Sequence, residues 1–510
     1  MRREPGPPRV LALCVPELPL QRARRARERR EGDRPLAVVA EGRVLHCDAD
    51  ARREGVRAGE TVAEARAACG RLETVPVAPA ADQAALRALA EAVLSLAPAI
   101  EVAPPDALLL DASAAHLASG ATGRRPLDEH ARGEAERALA RQVLAVTEEM
   151  GWVARAVVAC GRAPARALAS HGREPIAVVA PGELTRALAG LPLEALGLEA
   201  SVAARLRALG VRDAGALARL PPGTLGHRFG PPGVRAARLA RGEDDAPLVP
   251  YAPETLPEEA LELEAPAESA EPLLFGLKRL ADRVAARLAG RGLGATRLRL
   301  VLALDPRGEE RVHITLAQPT ASAARWLVPA KEHLFSLRLP GAVTALRLSA
   351  EEVAAVEPEQ LAIGDRPEAV AALEGVLARL AVRLGDGALF AAEPVERYRP
   401  EGAYRAVPFR PPRARAGTVD GVVATPRPTR LLAAPELVVA EGEGGRLTAL
   451  RVGGRARAVL AWEGPERLRG EWWSSPFDRD YYRVRLDDLG DCWVYRDGAD
   501  GRLWLHGFFD

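Results

Sequence analysis

Two short stretches carry the groups best placed for chemistry. The first, VLALCVPELPL from Val10, reads as a buried strand that delivers a thiol, Cys14, two residues before a proline. The second, PPDALLLDAS from Pro104, is an apolar run carrying carboxylates at Asp106 and Asp111. Carboxylates suit Mg²⁺, which demands hard oxygen ligands in near-octahedral geometry. A soft thiol is a poor ligand for the same ion. The remaining cysteines, Cys47, Cys69, Cys160 and Cys492, bring the total to an odd five with no C-x-x-C pair. Neither a zinc site nor a disulfide framework is expected from them, only ordinary thiols in a reducing cell.

The elements that must position these groups alternate. Residues 9–15 and 34–40 read as apolar strands around a charged helical stretch, QRARRARERREGD. Residues 81–97 place apolar side chains at helical spacing. DALLLDAS, bounded by Pro104 and Pro105, is a short buried strand, and a helix over 130–150 leads to the strand WVARAVVA. Helices and strands alternate to about residue 182, which implies a sheet covered by helices. Residues 183–242 read as all-helical, with Gly and Pro turns in two helix–turn–helix units, a pattern shared by modules that hold a DNA backbone through exposed amides and by small helical packing domains. Residues 243–259 are an acidic, Pro-rich linker whose charge would repel phosphates. From 260 to 350 the order is βαββαβ, a compact α+β unit, with Leu273, Leu277, Leu280, Val284 and Leu288 on one helix face. Residues 351–367 look irregular and exposed, 368–398 helical, and 399–430 a Pro- and Arg-rich linker. The last 39 residues hold ten of the 21 aromatics. Among them YYRVRL, DCWVYRD and RLWLHGFF read as an antiparallel meander, so that an aromatic-rich β region over 431–510 ends in a small β-sheet whose aromatics form a core or partner face or stack bases.

A chain of 510 residues exceeds one ordinary core and implies three or four domains. No run of about eighteen apolar residues occurs, so no membrane span is expected, and the N-terminal stretch lacks an apolar secretory core, so the expected location is cytoplasmic. The net charge of +1 hides segregation: residues 1–30 hold nine Arg against three Glu, and residues 243–271 hold ten acidic residues and no basic one.

In this order the chain resembles the Y-family DNA polymerases, with palm and fingers (8–182, fingers about 20–78), helical thumb (183–242) and little finger (260–350). GRVLHCDADARREGVRAGETVAEARAAC is similar to the family's A-x-Y-E-A-R-x-x-G-V-x-x-G-M pattern at Ala51-Arg52, Gly55-Val56 and Gly59. PPDALLLD is similar to the hallmark S-x-D-E-A-x-L-D strand at Asp106, Leu110 and Asp111. The resemblance implies a site in which three carboxylates hold two Mg²⁺ ions that neutralise the triphosphate and activate the primer hydroxyl. In register, the first Asp falls at Cys14, and the later Asp-Glu pair becomes Asp106-Ala107. Glu17 is expected to face away, three positions further along the strand. The family Tyr on the triphosphate corresponds to Ala49, the Arg after it survives as Arg52, and a second triphosphate-binding basic residue corresponds to Arg162. No catalytic residue, metal or cofactor is therefore expected.

The chain further resembles the ImuB branch, polymerase-like proteins of the bacterial mutasome that lack the full carboxylate set. The likeness runs through RLAVRLGDGALF, PVERYRPEGAYRAVPF and the ending GEWWSSPFDRDYYRVRL…WLHGFFD. It implies a non-catalytic adaptor in error-prone translesion synthesis and DNA repair. Its partners would be primer-template or damaged DNA, the sliding β-clamp, an ImuA-type protein and an error-prone DNA polymerase III alpha-type subunit. Gln360-Leu361-Ala362-Ile363-Gly364 approximates the clamp-binding pattern Q-L-x-L-F. Gln360 would bond at the pocket rim and Leu361 and Ile363 would fill it, while Gly364 replaces the aromatic anchor. Two other functions compete: an active Y-family polymerase using Mg²⁺ on substitute ligands, and a protein scaffold that no longer touches DNA.

Overall fold

The computed structural model describes residues 8–26, 34–118, 128–356, 388–408, 427–443 and 446–509, together with 376, 377, 380 and 384. The chain forms two compact units: among the described residues the first takes in those up to 356 together with 376, 377 and 380, and the second takes in 384 and 388–509.

In the first unit, five strands form a sheet in the order Ile100–Ala103, Ala107–Asp111, Arg9–Cys14, Arg155–Cys160, Ile176–Val178. The central strand is antiparallel to both neighbours. Leu11 and Leu13 pack on one side with Leu86 and Leu89 of helix Pro79–Ala92 and with Leu139 and Val143 of helix Glu129–Glu149. Val10, Ala12 and Cys14 face the other side, where they meet Ala165 and the helical segment beyond residue 183. Both faces are covered, so the strand reads as one continuous apolar run.

A small sheet of Arg43–Cys47, Leu36–Ala40 and Glu73–Pro76 lies between the first and second strands of the chain's large sheet in sequence. Its helices begin with side-chain caps. Asp48 accepts from the Ala51 amide at 2.8 Å and from the Leu36 amide at 3.0 Å, tying helix Ala49–Arg53 to the neighbouring strand. Thr61 and Glu64 form a reciprocal capping box at helix Val62–Ala68.

The segment read as all-helical contains the short helices Leu184–Leu188, Ala200–Ala208, Ala214–Ala218, Pro222–Phe229 and Pro231–Ala240. The acidic stretch after it has no regular element before Glu258, yet it is pinned to the large sheet. The Ala163 amide donates to Asp244 at 2.8 Å, the Val249 amide to Glu101 at 2.8 Å, and the Tyr251 amide to the Ile100 carbonyl at 2.7 Å.

A second sheet follows in the order Glu309–Thr320, Leu293–Asp305, Ala342–Ala355, Glu258–Ala267, all antiparallel, with helices Ala270–Gly290 and Ala323–Ser336 inserted to give βαββαβ. The five residues read as one helix face are all buried, around Trp326. This helix seats directly on helix Pro79–Ala92. Arg287 donates to both oxygens of Glu91, at 3.1 and 3.2 Å, and to Glu259 at 3.0 Å. A Cβ on Gly290 would lie 2.0 Å from the Glu91 carbonyl oxygen, so only glycine permits the approach.

The second unit corrects the sequence reading. The stretches taken as a helical segment and a linker contain a two-stranded ribbon, Phe390–Pro394 with Tyr404–Pro408. The C-terminal region is the antiparallel β-structure expected, closed into a barrel of six strands: Arg430–Glu443, Arg446–Val452, Arg455–Gly470, Phe477–Leu486, Gly490–Asp497 and Leu503–Phe508. Its first three strands are rich in Arg, Glu and Ala, which disguises them as polar coil. One set of side chains, including Val438, Leu450, Val484, Cys492, Val494 and Leu505, forms an aliphatic core. The alternate set on the later strands packs as a separate aromatic layer of Tyr481, Trp493 and Tyr495. Buried His506 stacks on it, with its ring 5.6 Å from that of Trp493. No helix among the described residues is long and apolar enough to cross a membrane.

Candidate functional site: a palm with its charges paired internally

Cys14 ends the central strand of the large sheet, directly opposite Ala107 in the antiparallel pairing. Both are buried, at 1% and 0% exposure. The thiol is 3.6 Å from Asp106 Oδ2 and 3.8 Å from Ser170 Oγ. Burial and the neighbouring Asp106 charge push its pKa up to about 11, against weaker opposing effects of Ser170 and Arg155. The sulfur is therefore a neutral thiol near pH 7.

Asp106 is the one surviving carboxylate of the expected set, and it faces a cation belonging to the chain. Arg166 lies 3.7 Å from its Oδ1 and donates to the Pro104 carbonyl at 2.6 Å. Arg166 sits on helix Arg162–His171, which follows the strand beside Cys14. Thus a thiol, a methyl group and one guanidinium-paired carboxylate occupy the three expected ligand positions. This donor set does not fit a pair of Mg²⁺ ions, which need several hard oxygen ligands. Among the described residues, no cluster of three or more His, Cys, Asp or Glu is arranged to hold a metal.

The residues expected to meet a triphosphate are also engaged. Arg52 donates from Nη2 to both oxygens of Glu17, at 3.0 and 2.9 Å, and from Nε to the Cys47 carbonyl at 2.8 Å. Here the sequence reading needs correction. Glu17 is not on the strand, which stops at Cys14; it lies in the following turn with φ +50°, and that turn carries its carboxylate to Arg52. Arg162 pairs with Glu101, whose other oxygen accepts from the Val249 amide. Ala49 is exposed at the start of its helix and offers no ring. The structure brings Cys14, Asp106 and Ala107 together and gives Arg52 and Arg162 separate partners. Sequence reasoning missed Arg166, Ser170 and Glu101, whose separations from their partners in the chain carry no periodic signal. Gln360, Leu361 and Ile363 lie outside the described residues.

Residues 21–171, which supply most of this region, match the model of the impB/mucB/samB family. Over 479 residues the chain is 31% identical to Protein ImuB of Caulobacter vibrioides strain NA1000, spanning 89% of this chain and 100% of the relative. The chain belongs to the ImuB family. The Caulobacter ImuB of strain ATCC 19089 matches equally, at 31% identity over the same shares. DNA polymerase IV of Methanoculleus marisnigri is 31% identical over 221 residues, 42% of this chain and 56% of that protein. Among solved structures, a Dbh ternary complex and DinB from Sulfolobus solfataricus each align at 17% identity and TM-score 0.38, covering 68% and 67% of this chain and 100% and 98% of theirs. This ImuB-family chain is thus a Y-family polymerase-like protein of α+β fold with a β-rich C-terminal region.

Proposed function

We propose that this chain is a non-catalytic adaptor in error-prone translesion synthesis, which binds DNA and connects it to the sliding clamp and to a separate error-prone polymerase. The observation that carries the reading is Cys14 facing Ala107, with Asp106 beside Arg166, at the place where a polymerase of this family would gather its metal ligands. A palm so altered keeps the architecture for holding nucleic acid without the oxygen cage that moves phosphoryl groups. Membership of the ImuB family supports the partner set: an ImuA-type protein, a polymerase III alpha-type subunit and the clamp. The clamp would be reached through Gln360, Leu361 and Ile363. We place the protein in the cytoplasm and assign it no cofactor.

Primer extension on a primer-template with Mg²⁺ or Mn²⁺ tests the reading. The expected result is no incorporation; robust incorporation lost in Asp106→Ala would establish the polymerase alternative. A titration of primer-template affinity against salt separates adaptor from pure scaffold, because neutralised phosphates release counterions and give a steep slope. A clamp pull-down comparing the chain with Gln360→Ala tests that contact.

A further inference from the structure

One cavity in the second unit has no part in the palm. It is an open pocket of about 330 Å³ on the barrel, lined by Leu447, Trp462, Tyr482, Arg496, Gly501 and Leu503. The liners come from five consecutive strands and one turn, so closure of the barrel builds the cavity. Alternation along the strands explains the mixture. Tyr482 shares a face with Val484 and Leu486, and Arg496 with Cys492 and Val494, which form the aliphatic core. An arginine is thus presented to the open pocket. Its side chain makes no hydrogen bond or ion pair with another described residue, in a unit whose other arginines are largely paired, as Arg451 is with Glu441, Arg469 with Asp478, and Arg483 and Arg485 with Asp491. Asp480, across the strand pair from Arg496, is taken by Arg467 at 3.5 Å. Beside the free guanidinium stand two half-buried rings, Trp462 and Tyr482, with centroids 4.7 Å apart and planes tilted by 38°.

We propose that this pocket is a binding site for single-stranded nucleic acid, seating one base against Trp462 and Tyr482 and its adjoining phosphate on Arg496. The chemistry matches in each part. A flat ring gains most from aromatic walls, a lone phosphate charge from an unpaired guanidinium, and the volume suits a single nucleotide rather than a folded surface. An acidic peptide would use the guanidinium but leave the aromatic walls without a planar partner. The site is separate from any duplex grip by the palm, so the two succeed or fail independently.

The test uses the full-length chain and a (dT)₁₅ oligonucleotide bearing one 5-iodouracil. Photocrosslinking followed by peptide mapping should place the adduct on Trp462 or Tyr482. Arg496→Gln, a substitution at an exposed position, and Trp462→Ala should each weaken (dT)₁₅ binding by about fivefold or more. Trp462→Phe, which keeps a stacking face, should retain most of the affinity, and affinity for a blunt-ended duplex should not change in any variant. Adducts confined to residues 8–355, unchanged (dT)₁₅ affinity in Arg496→Gln, or displacement of (dT)₁₅ by oligoglutamate as effectively as by unlabelled oligonucleotide would each overturn the proposal.

Discussion

Arg52 and Glu17, 35 positions apart, face each other as a two-oxygen ion pair in which each N···O distance is 3.0 Å or less. The resemblance marked Arg52 for a triphosphate, and the chain has supplied a carboxylate in its place. Both side chains are well exposed, at 48% and 40%, so the pair adds at most about 1 kcal/mol to stability. Glu17→Ala should leave the melting temperature nearly unchanged while raising affinity for inorganic triphosphate several-fold, read by calorimetry. No gain in affinity would show that the carboxylate does not mask Arg52.

The palm can be asked to take its ligands back. Cys14→Asp with Ala107→Glu restores three carboxylates around Asp106, but places two of them in sites with almost no exposure. The double variant should lose about 2–4 kcal/mol of stability without metal. Added Mn²⁺ should recover about 2.7 kcal/mol at a hundredfold excess over its dissociation constant. A melting temperature that rises equally with Mn²⁺ in the unaltered chain would contradict the poor fit of the present donor set.

Thiol chemistry offers a check on burial. All five cysteines are buried and free, and Cys14 and Cys492 are both raised to about 11, chiefly by desolvation. The thiolate is the reactive form, so native-state modification at pH 8 should be slow at every position. At Cys14 and Cys492 the rate should climb only as pH approaches 11, and all five thiols should react promptly in denaturant. A fast native thiol at neutral pH would contradict the packing around these sulfurs.

Glu91 and Arg287 join the first sheet's helix to the second sheet's helix in a buried contact, with side-chain exposures of 4% and 10%. Removing Arg287 leaves the buried Glu91 only the longer Arg291 contact at 3.6 Å and the Tyr251 hydroxyl at 3.2 Å, so Arg287→Ala should cost about 3 kcal/mol in chemical denaturation. Arg287→Ala with Glu91→Ala should cost less than the sum of the single changes. Strict additivity would mean that the two side chains are not coupled.

In the second unit, Glu401 lies under Arg479, which donates to it at 2.7 Å, and beside His506 at 3.4 Å. Burial would raise its pKa, but the neighbouring His506 and the hydrogen bond from Arg479 outweigh that and hold it at about 2. A depressed carboxylate contributes stability above its ordinary pKa and loses it as pH falls. The barrel's tryptophan fluorescence should therefore report progressive loss of stability from about pH 4.5 towards 2. Glu401→Gln should be less stable at pH 7 and flatter across that window; an unchanged acid profile would count against the contact.

What could be read from the residues depended on how far apart the cooperating groups stand. The strand at Arg9–Cys14, the helix face from Leu273 to Leu288 and the βαββαβ order were legible because burial imposes a short period on the sequence. That Cys14 and Ala107 stand where the resemblance expects carboxylates could be read from the sequence because register alone locates them. The ion pairs that fill the site were not, since Arg166 with Asp106 and Arg162 with Glu101 meet only through the sheet order. The barrel was half-read for a related reason. Its aromatic strands announce themselves, while Arg455–Gly470 exposes most of its length and looks like polar coil.

Closure of the second unit into a ring of six strands also limits how other molecules can approach it. A sheet with free margins invites a visiting peptide to extend it through main-chain bonds, almost regardless of side chains. Here the last strand returns to bond with the first, and those margins are consumed. A guest at this ring must therefore be recognised by its side groups, and single substitutions on the ring's rim and outer wall should discriminate between guests more sharply than any change to the backbone.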